Sequence, residues 1–218
     1  MPRNITIRGT GKISVSPDLT VVTLNLKDVD KDYEKAMEKA ASKMEDLRGA
    51  LSKIGFSKDD LKTTNFNVNT EYESRRNQDG SYSQVFKGFA CYHSLKIEFD
   101  FDTKILANVL SSIASSVAEP ELNVSFTVKD KDAVSDMLLK SATENAKRKA
   151  EILTSSSDVK LGRIISIVYD WGNRDLVSPT RYALDNRAMK LAAAPNSVDI
   201  SPDDITVTDT VTFIWEIG

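Results

Sequence analysis

Between residues 91 and 102 the side chains change character at every step. Cys91, His93, Leu95, Ile97, Phe99 and Phe101 fall on one side of an extended chain, and Tyr92, Ser94, Lys96, Glu98, Asp100 and Asp102 fall on the other. Successive residues of a strand point to opposite faces, so this period of two assigns one face to a core and the other to water. A chain with such a stretch must build a sheet covered on one side, and the cover must come from elsewhere in the sequence.

Candidates for that cover recur at helical spacing. From Asp32 onward, Tyr33, Met37, Ala40, Met44, Leu47, Leu51 and Ile54 lie on one stripe, and Gly55 supplies a stop. Ile105, Leu106, Val109, Leu110, Ile113 and Val117 form a second stripe ended by Pro120. Leu138, Ala142, Ala146 and Leu153 form a third, beginning near Asp132, and its alanines predict a helix lying close against a sheet. Further strands are read at Ile5 to Val15 and Val22 to Leu26, expected to form a hairpin-like unit about Pro17-Asp18. Others follow at Phe66 to Tyr72, Val124 to Val128, Leu161 to Tyr169 and Thr206 to Ile217. The expected class is α+β, an antiparallel or mixed sheet with three main helices packed against it. The 218 residues are read as one domain, with two subdomains of about 1–102 and 103–218 as the alternative.

Three places invite a functional reading. Tyr72, Arg75, Arg76, Tyr82 and Phe86 flank the Asp79-Gly80 turn of a long hairpin, and tyrosine and arginine at an exposed tip suit a protein contact. Gly172 to Asp204, including Arg181 and Tyr182, is expected to be a long connection, with a short helix from Tyr182 to Leu191. Asp209 falls on the apolar face of the last strand and is expected near a sheet end or an assembly contact, since an inward charge protects an edge.

Reactive chemistry is poorly provided. Gly9-Thr10-Gly11-Lys12 is too short for a phosphate loop and runs on into strand alternation, so its glycines are expected at a bulge or bend. Cys91 and His93 share a strand face that continues into Leu95 and Ile97, which predicts packing rather than a thiol–imidazole pair. Asp59-Asp60, Asp130-Lys131-Asp132 and Asp203-Asp204 are expected as caps and turns. No catalytic residue, cofactor or metal site is expected.

Net charge is −3, from 29 basic and 32 acidic side chains mixed along the chain, which leaves no positive field for a nucleic-acid partner. One cysteine permits no intrachain disulfide. No apolar run is long enough for a transmembrane helix, and Met1-Pro2-Arg3-Asn4 leads into Ile5 without a signal-peptide core. The expected location is cytoplasmic as written, or periplasmic or cell-envelope where a leader has been removed.

Four stretches carry a family resemblance spanning nearly the whole chain. They are Ile5 to Asp18 with its glycines and closing Pro-Asp, Leu61-Lys62-Thr63-Thr64-Asn65-Phe66, Lys87-Gly88-Phe89, and Ala146 to Glu151 followed by Val159 to Ile164. In this order and spacing they resemble the SIMPL-domain family, long classed as a domain of unknown function. The resemblance implies an α+β fold, a secreted or envelope location in many bacterial members, and ring-like oligomers in some. It also implies roles in stress protection or, in animal relatives, association with signalling kinases, with no established enzymatic activity. The expected function is therefore a non-catalytic, self-assembling scaffold: a homo-oligomer that also contacts a protein partner. Two alternatives are a small-molecule or peptide binding module with 172–204 as its lid, and redox sensing through Cys91.

Overall fold

In the computed structural model, which describes residues 3–170, 172, 175–184 and 200–218, the chain runs β1 (Asn4–Val15), β2 (Leu19–Asp30), α1 (Tyr33–Ser52), β3 (Lys62–Arg76), β4 (Tyr82–Asp100) and α2 (Thr103–Ala114). It continues through β5 (Glu121–Thr127), α3 (Lys131–Ser155), β6 (Leu161–Tyr169), β7 (Val177–Leu184) and β8 (Ile205–Ile217). The class is α+β as expected, but the strands divide into two sheets, ordered β1-β8-β6 and β3-β4-β2-β5-β7. The β1–β8, β6–β8, β2–β4 and β3–β4 pairings are all antiparallel. Two compact units result, each assembled from separated stretches of chain: residues 1–18, 127–179 and 202–218 in one, and 19–126 with 180–201 in the other.

The expected β1–β2 hairpin does not form. β1 pairs along its whole length with β8, while β2 lies in the other sheet beside β4. Alternation shows that a strand has a buried face but not which strand it pairs with, and Pro17-Asp18 serves here as an exit rather than a turn. The Asp18 carboxylate accepts from the backbone N–H of Lys129 at 2.8 Å, and the Asp18 N–H donates to Thr127 at 3.1 Å.

Helix starts follow the aspartates. Asp32, Asp102 and Asp130 are the N-caps of α1, α2 and α3, each accepting from backbone N–H groups of the first turn; such a cap contributes about 1 kcal/mol. In the larger sheet, α1 and α2 cover the face bearing Val22, Leu24, Leu26, Leu95 and Ile97, all buried with Leu47, Leu51, Leu106, Val109 and Ile113 in one cluster. Ala36 joins the buried stripe of α1, whereas Tyr33 is half exposed. Val117 lies beyond the end of α2 and is 79% exposed.

The smaller sheet is covered by α3, whose buried residues are Val134, Leu138, Ala142, Ala146, Ala150 and Thr154. Leu153, expected on this stripe, is 48% exposed. Gly9 and Gly11 do not mark a bend. A Cβ at Gly9 would stand 2.6 Å from the Ala146 Cβ and inside contact distance of the Ala142 carbonyl oxygen; one at Gly11 would stand 2.7 Å from the Ala142 nitrogen and against the Leu138 carbonyl. The glycines thus let a helix backbone lie directly on a strand, and the alanines complete the fit from the other side.

The expected long connection from Gly172 to Asp204 contains β7, which carries Arg181, and Tyr182 to Leu184, expected to begin a short helix, belong to that strand. Tyr182 and Leu184 pack partly buried against the core under α1 and α2. The remainder of the expected Tyr182 to Leu191 helix, residues 185–191, lies outside the described residues. Ser178 is buried and donates to the Asp203 carbonyl at 2.6 Å.

The packing at Gly9 leads to a paired expectation. Gly9→Ala destabilises the protein by about 2 kcal/mol or more, because the clash is with backbone, while Gly49→Ala, in α1 with nothing within 4 Å of the new Cβ, stabilises it by about 0.5–1 kcal/mol. Denaturant titrations of the two variants check both signs.

Candidate functional site

The long hairpin of β3 and β4 extends past its cover for a geometric reason. β4 has 19 residues and α1 has 20; at ~3.3 Å per residue the strand extends roughly 60 Å, whereas at ~1.5 Å per residue the helix reaches about 30 Å. The far half of the hairpin must therefore stand without a helix beneath it, and β3 is exposed or half-buried along its length.

Its tip is closed by local chemistry. Asn77 N–H donates to the Ser81 carbonyl at 2.8 Å, Gly80 takes a φ of +86°, and the Asp79 carboxylate accepts from the Ser81 N–H at 2.9 Å and its hydroxyl at 2.6 Å. Those hydrogen bonds, that of the hydroxyl first, hold the Asp79 carboxyl below the usual carboxylate range. Lower down, Glu71 is clamped between Lys87 at 2.9 Å and Lys27 at 3.0 Å. The hydrogen bond from Lys87 and then that from Lys27 lower the Glu71 carboxyl. The hairpin bulges between Glu71 and Tyr72, opposite Gly88, whose φ of +154° and close approach to the Asp30 backbone leave no room for a side chain.

Along this uncovered hairpin runs a chain of aromatic rings. Tyr72 meets Phe86 at 5.7 Å, Phe86 meets Phe89 at 5.5 Å, and Phe89 meets Tyr33 at 5.6 Å, each edge to face. Tyr72 is 55% exposed, Phe86 40% and Tyr33 50%. Arg76 is paired across the strands with Tyr82, which is 70% exposed, and Arg75 with Ser83. The structure thus brings Tyr72, Arg75, Arg76, Tyr82 and Phe86 onto one uncovered hairpin. The sequence reading missed Phe89 and Tyr33; the signal for Phe89 was its place beside Gly88, and Tyr33 was assigned to the helix core. Edge-to-face pairs are each worth ~0.5–1.5 kcal/mol beyond burial, so the rings stiffen one another and present a preformed surface.

The other candidates lie apart from the hairpin. Arg181 is exposed on β7, lining a shallow depression with Asn25, Glu121 and Asn123. Asp209 sits within β8, the central strand of its sheet, opposite Gly11 on the β1 side and just past the point where β6 ends. It is buried and satisfied, accepting from the Tyr169 hydroxyl at 2.8 Å and the Thr210 N–H at 2.7 Å.

Cys91 and His93 are buried on β4. Burial, and then the Asp28 charge, push the Cys91 thiol up, which suppresses the nucleophilic thiolate. Asp28 faces Cys91 across β2 and β4 and is held by Lys43 at 2.7 Å. The His93 Nε2 shares a 2.8 Å hydrogen bond with the Thr63 hydroxyl, its ring meets Phe66 edge to face at 5.0 Å, and its Nδ1 has no hydrogen-bond partner. Burial first, and Arg48 second, hold the imidazole below its ordinary pKa. Among the described residues no group of three or more His, Cys, Asp or Glu is placed to hold a metal ion, and no helix is long and apolar enough to cross a membrane.

The family model described as SIMPL, protein of unknown function (DUF541), matches residues 5–215. The chain belongs to the SIMPL family. It is similar to the 26 kDa periplasmic immunogenic protein of Brucella melitensis biotype 1, at 27% identity over 99% of this chain and 85% of that protein. The corresponding Brucella abortus (strain S19) protein is 26% identical over the same shares. In this SIMPL chain Cys91 and His93 are turned into the core, and Tyr72, Tyr82 and Phe86 of the hairpin are turned out.

Two expectations follow. His93 has a folded pKa below its unfolded value near 6.5, so the unfolded chain binds the extra proton. Stability is therefore full above about pH 6.5 and falls as pH drops below it; in denaturant midpoints measured from pH 7.5 to 5, His93→Phe removes part of that decline. Cys91, being buried, reacts with a chromogenic disulfide reagent at the rate of unfolding, so adding denaturant accelerates the reaction steeply.

Proposed function

We propose that this protein is a non-catalytic, self-assembling scaffold of the cell envelope, which acts by presenting protein-interaction surfaces, the Tyr72–Phe86 hairpin foremost. The observation that carries this reading is the uncovered chain of rings through Tyr72, Phe86, Phe89 and Tyr33, continued on the same face by Arg76 and Tyr82, with Arg75 on the other face of the hairpin. Aromatic side chains lose little entropy for the area they bury, and arginine offers a planar fork of donors, which is why both are enriched among interface hot spots. A stiff aromatic surface held on a long hairpin suits docking to another protein more than enclosing a substrate.

The non-catalytic part is supported by the state of the reactive groups. The Cys91 thiol is pushed up and buried, and His93 is buried neutral, so neither is poised to attack or to exchange a proton with a bound molecule. The periplasmic location in the names of the two Brucella relatives supports placing the protein in the envelope. A part in envelope stress defence is the physiological setting we attach to this scaffold.

The hairpin reading is checked by Tyr72→Ser combined with Phe86→Ser. Both rings are substantially exposed, so the melting temperature changes by no more than a few degrees. Capture of binding partners from a periplasmic extract, compared side by side with the unaltered protein, falls at least about tenfold. Equal capture by both proteins overturns the hairpin as the docking surface.

A further inference from the structure

The sheet face covered by α1 continues past the start of that helix. β2 stops at Asp30, opposite Phe89, and the chain turns back into α1 at Tyr33. Beyond that row the hairpin runs on as β3 and β4 alone, in unbroken register from the Tyr72–Phe86 pair to the Arg76–Tyr82 pair. The ring contacts from Tyr33 of α1 through Phe89 to Phe86 and Tyr72 show that these rings lie on the face α1 covers. Strand alternation then places the Ser74–Gln84 and Arg76–Tyr82 pairs on that face too, and Glu73, Arg75, Ser83 and Val85 on the other. The result is a shelf with the rings as its floor and the first turn of α1 as its back wall. Its dimensions are those of a helix. From the Thr70–Phe89 row to the Arg76–Tyr82 row β3 advances six residues, roughly 20 Å at ~3.3 Å each. Two strands make the shelf about 10 Å wide, and the helix standing at its end makes it about 10 Å deep.

We propose that this shelf seats an amphipathic helix of a partner protein, lying end to end with α1. Resting on the reading of the hairpin as a docking surface, this states the form and charge of the segment it recognises. The form is argued from what already covers the same face: α1 lies on it through Ala36, Ala40, Met44, Leu47 and Leu51. A second helix of about 13 residues, at ~1.5 Å each, extends that layer to the tip. A strand added along the free edge of β3 would leave the rings uncovered. Charge sets the direction. Arg76 is the charged side chain of the shelf floor, and the carboxylates near it are engaged or turned away: Asp79 accepts from Ser81, Glu71 is held by Lys87 and Lys27, and Glu73 lies on the opposite face. Helices favour acidic side chains in their first turn, so a first-turn carboxylate of the partner meets Arg76. Its chain then runs toward α1, with apolar side chains at every third or fourth position over Tyr72, Phe86 and Phe89.

The test uses the full chain and a labelled, acetylated helical peptide of that length, with leucines on one stripe and glutamates in the first turn. Binding is read by fluorescence anisotropy. The protein binds this peptide saturably, and it binds neither a peptide of the same composition with its leucines spread round the helix nor an extended valine–threonine peptide of equal charge. Arg76→Glu weakens binding at least about tenfold, and replacing the first-turn glutamates of the peptide with lysines restores it. Arg75→Glu, on the other face of the hairpin, leaves binding unchanged. Should Arg76→Glu fail to fold by circular dichroism, Tyr82→Ser, at the 70% exposed ring beside it, takes its place and weakens binding likewise. Absence of binding, equal binding of the spread-leucine peptide, or equal loss in the Arg75 and Arg76 variants overturns the helix. If the extended peptide or vesicles of anionic lipid bind through Arg76 instead, the helix is overturned and the hairpin stands as a docking surface. The hairpin reading itself falls only if capture from the periplasmic extract is indifferent to Tyr72→Ser with Phe86→Ser.

Discussion

The near-contact of a helix backbone with a strand backbone, at Gly9 and Gly11 beneath Ala142 and Ala146, is the constraint on which one whole unit rests. Helix and sheet usually keep a layer of side chains between them; at Gly9 and Gly11 β1 contributes none, and α3 brings only the alanine methyls. The helix is drawn over β1, close enough for Asn145 and Lys149 to reach its open backbone groups. On β8 the larger Val211, Phe213 and Trp215 fill the core beside the alanines, with the Phe213 and Trp215 rings stacked 5.0 Å apart. β6, at the far side of the sheet, keeps its aliphatic side chains half in water.

A comparable mismatch shapes the other unit. Strands gain about twice the length per residue that helices do, so a helix and a strand of similar residue count cannot cover one another. The covered half of the β3–β4 hairpin shares the core with Leu24, Leu47 and Leu95, and the uncovered half carries the ring chain and the arginines. Buried packing and exposed aromatic surface are thus separated along the same two strands. The Glu71 clamp and the Gly88 bulge lie where one regime gives way to the other.

Much of this could be read from residue order. The alternating face of β4, the three helices, the aspartate caps and the burial of Cys91 with His93 follow from local patterns, as does the grouping of Tyr72, Arg75, Arg76, Tyr82 and Phe86 by the Asp-Gly turn. Other features could not be read because their causes lie far away in the chain. Gly9 and Gly11 are explained only by residues on α3, and the hydroxyl that satisfies Asp209 comes from Tyr169, forty residues away on another strand. Tyr33 matches a helical stripe yet turns its ring to Phe89. β7 was hidden in a stretch whose prolines and small residues suggested only a connection.

Residue periodicity is a local property, and it was sufficient to determine which segments are strands or helices and which side of each is apolar. Pairing is a property of the whole chain: β1 meets β8 from the opposite terminus, and β2 leaves its sequence neighbour for another sheet. Only the tertiary structure decided which edges are closed and which faces stay open, because apolar strand faces are interchangeable until loop lengths, glycine clearances and helix positions select one set of partners.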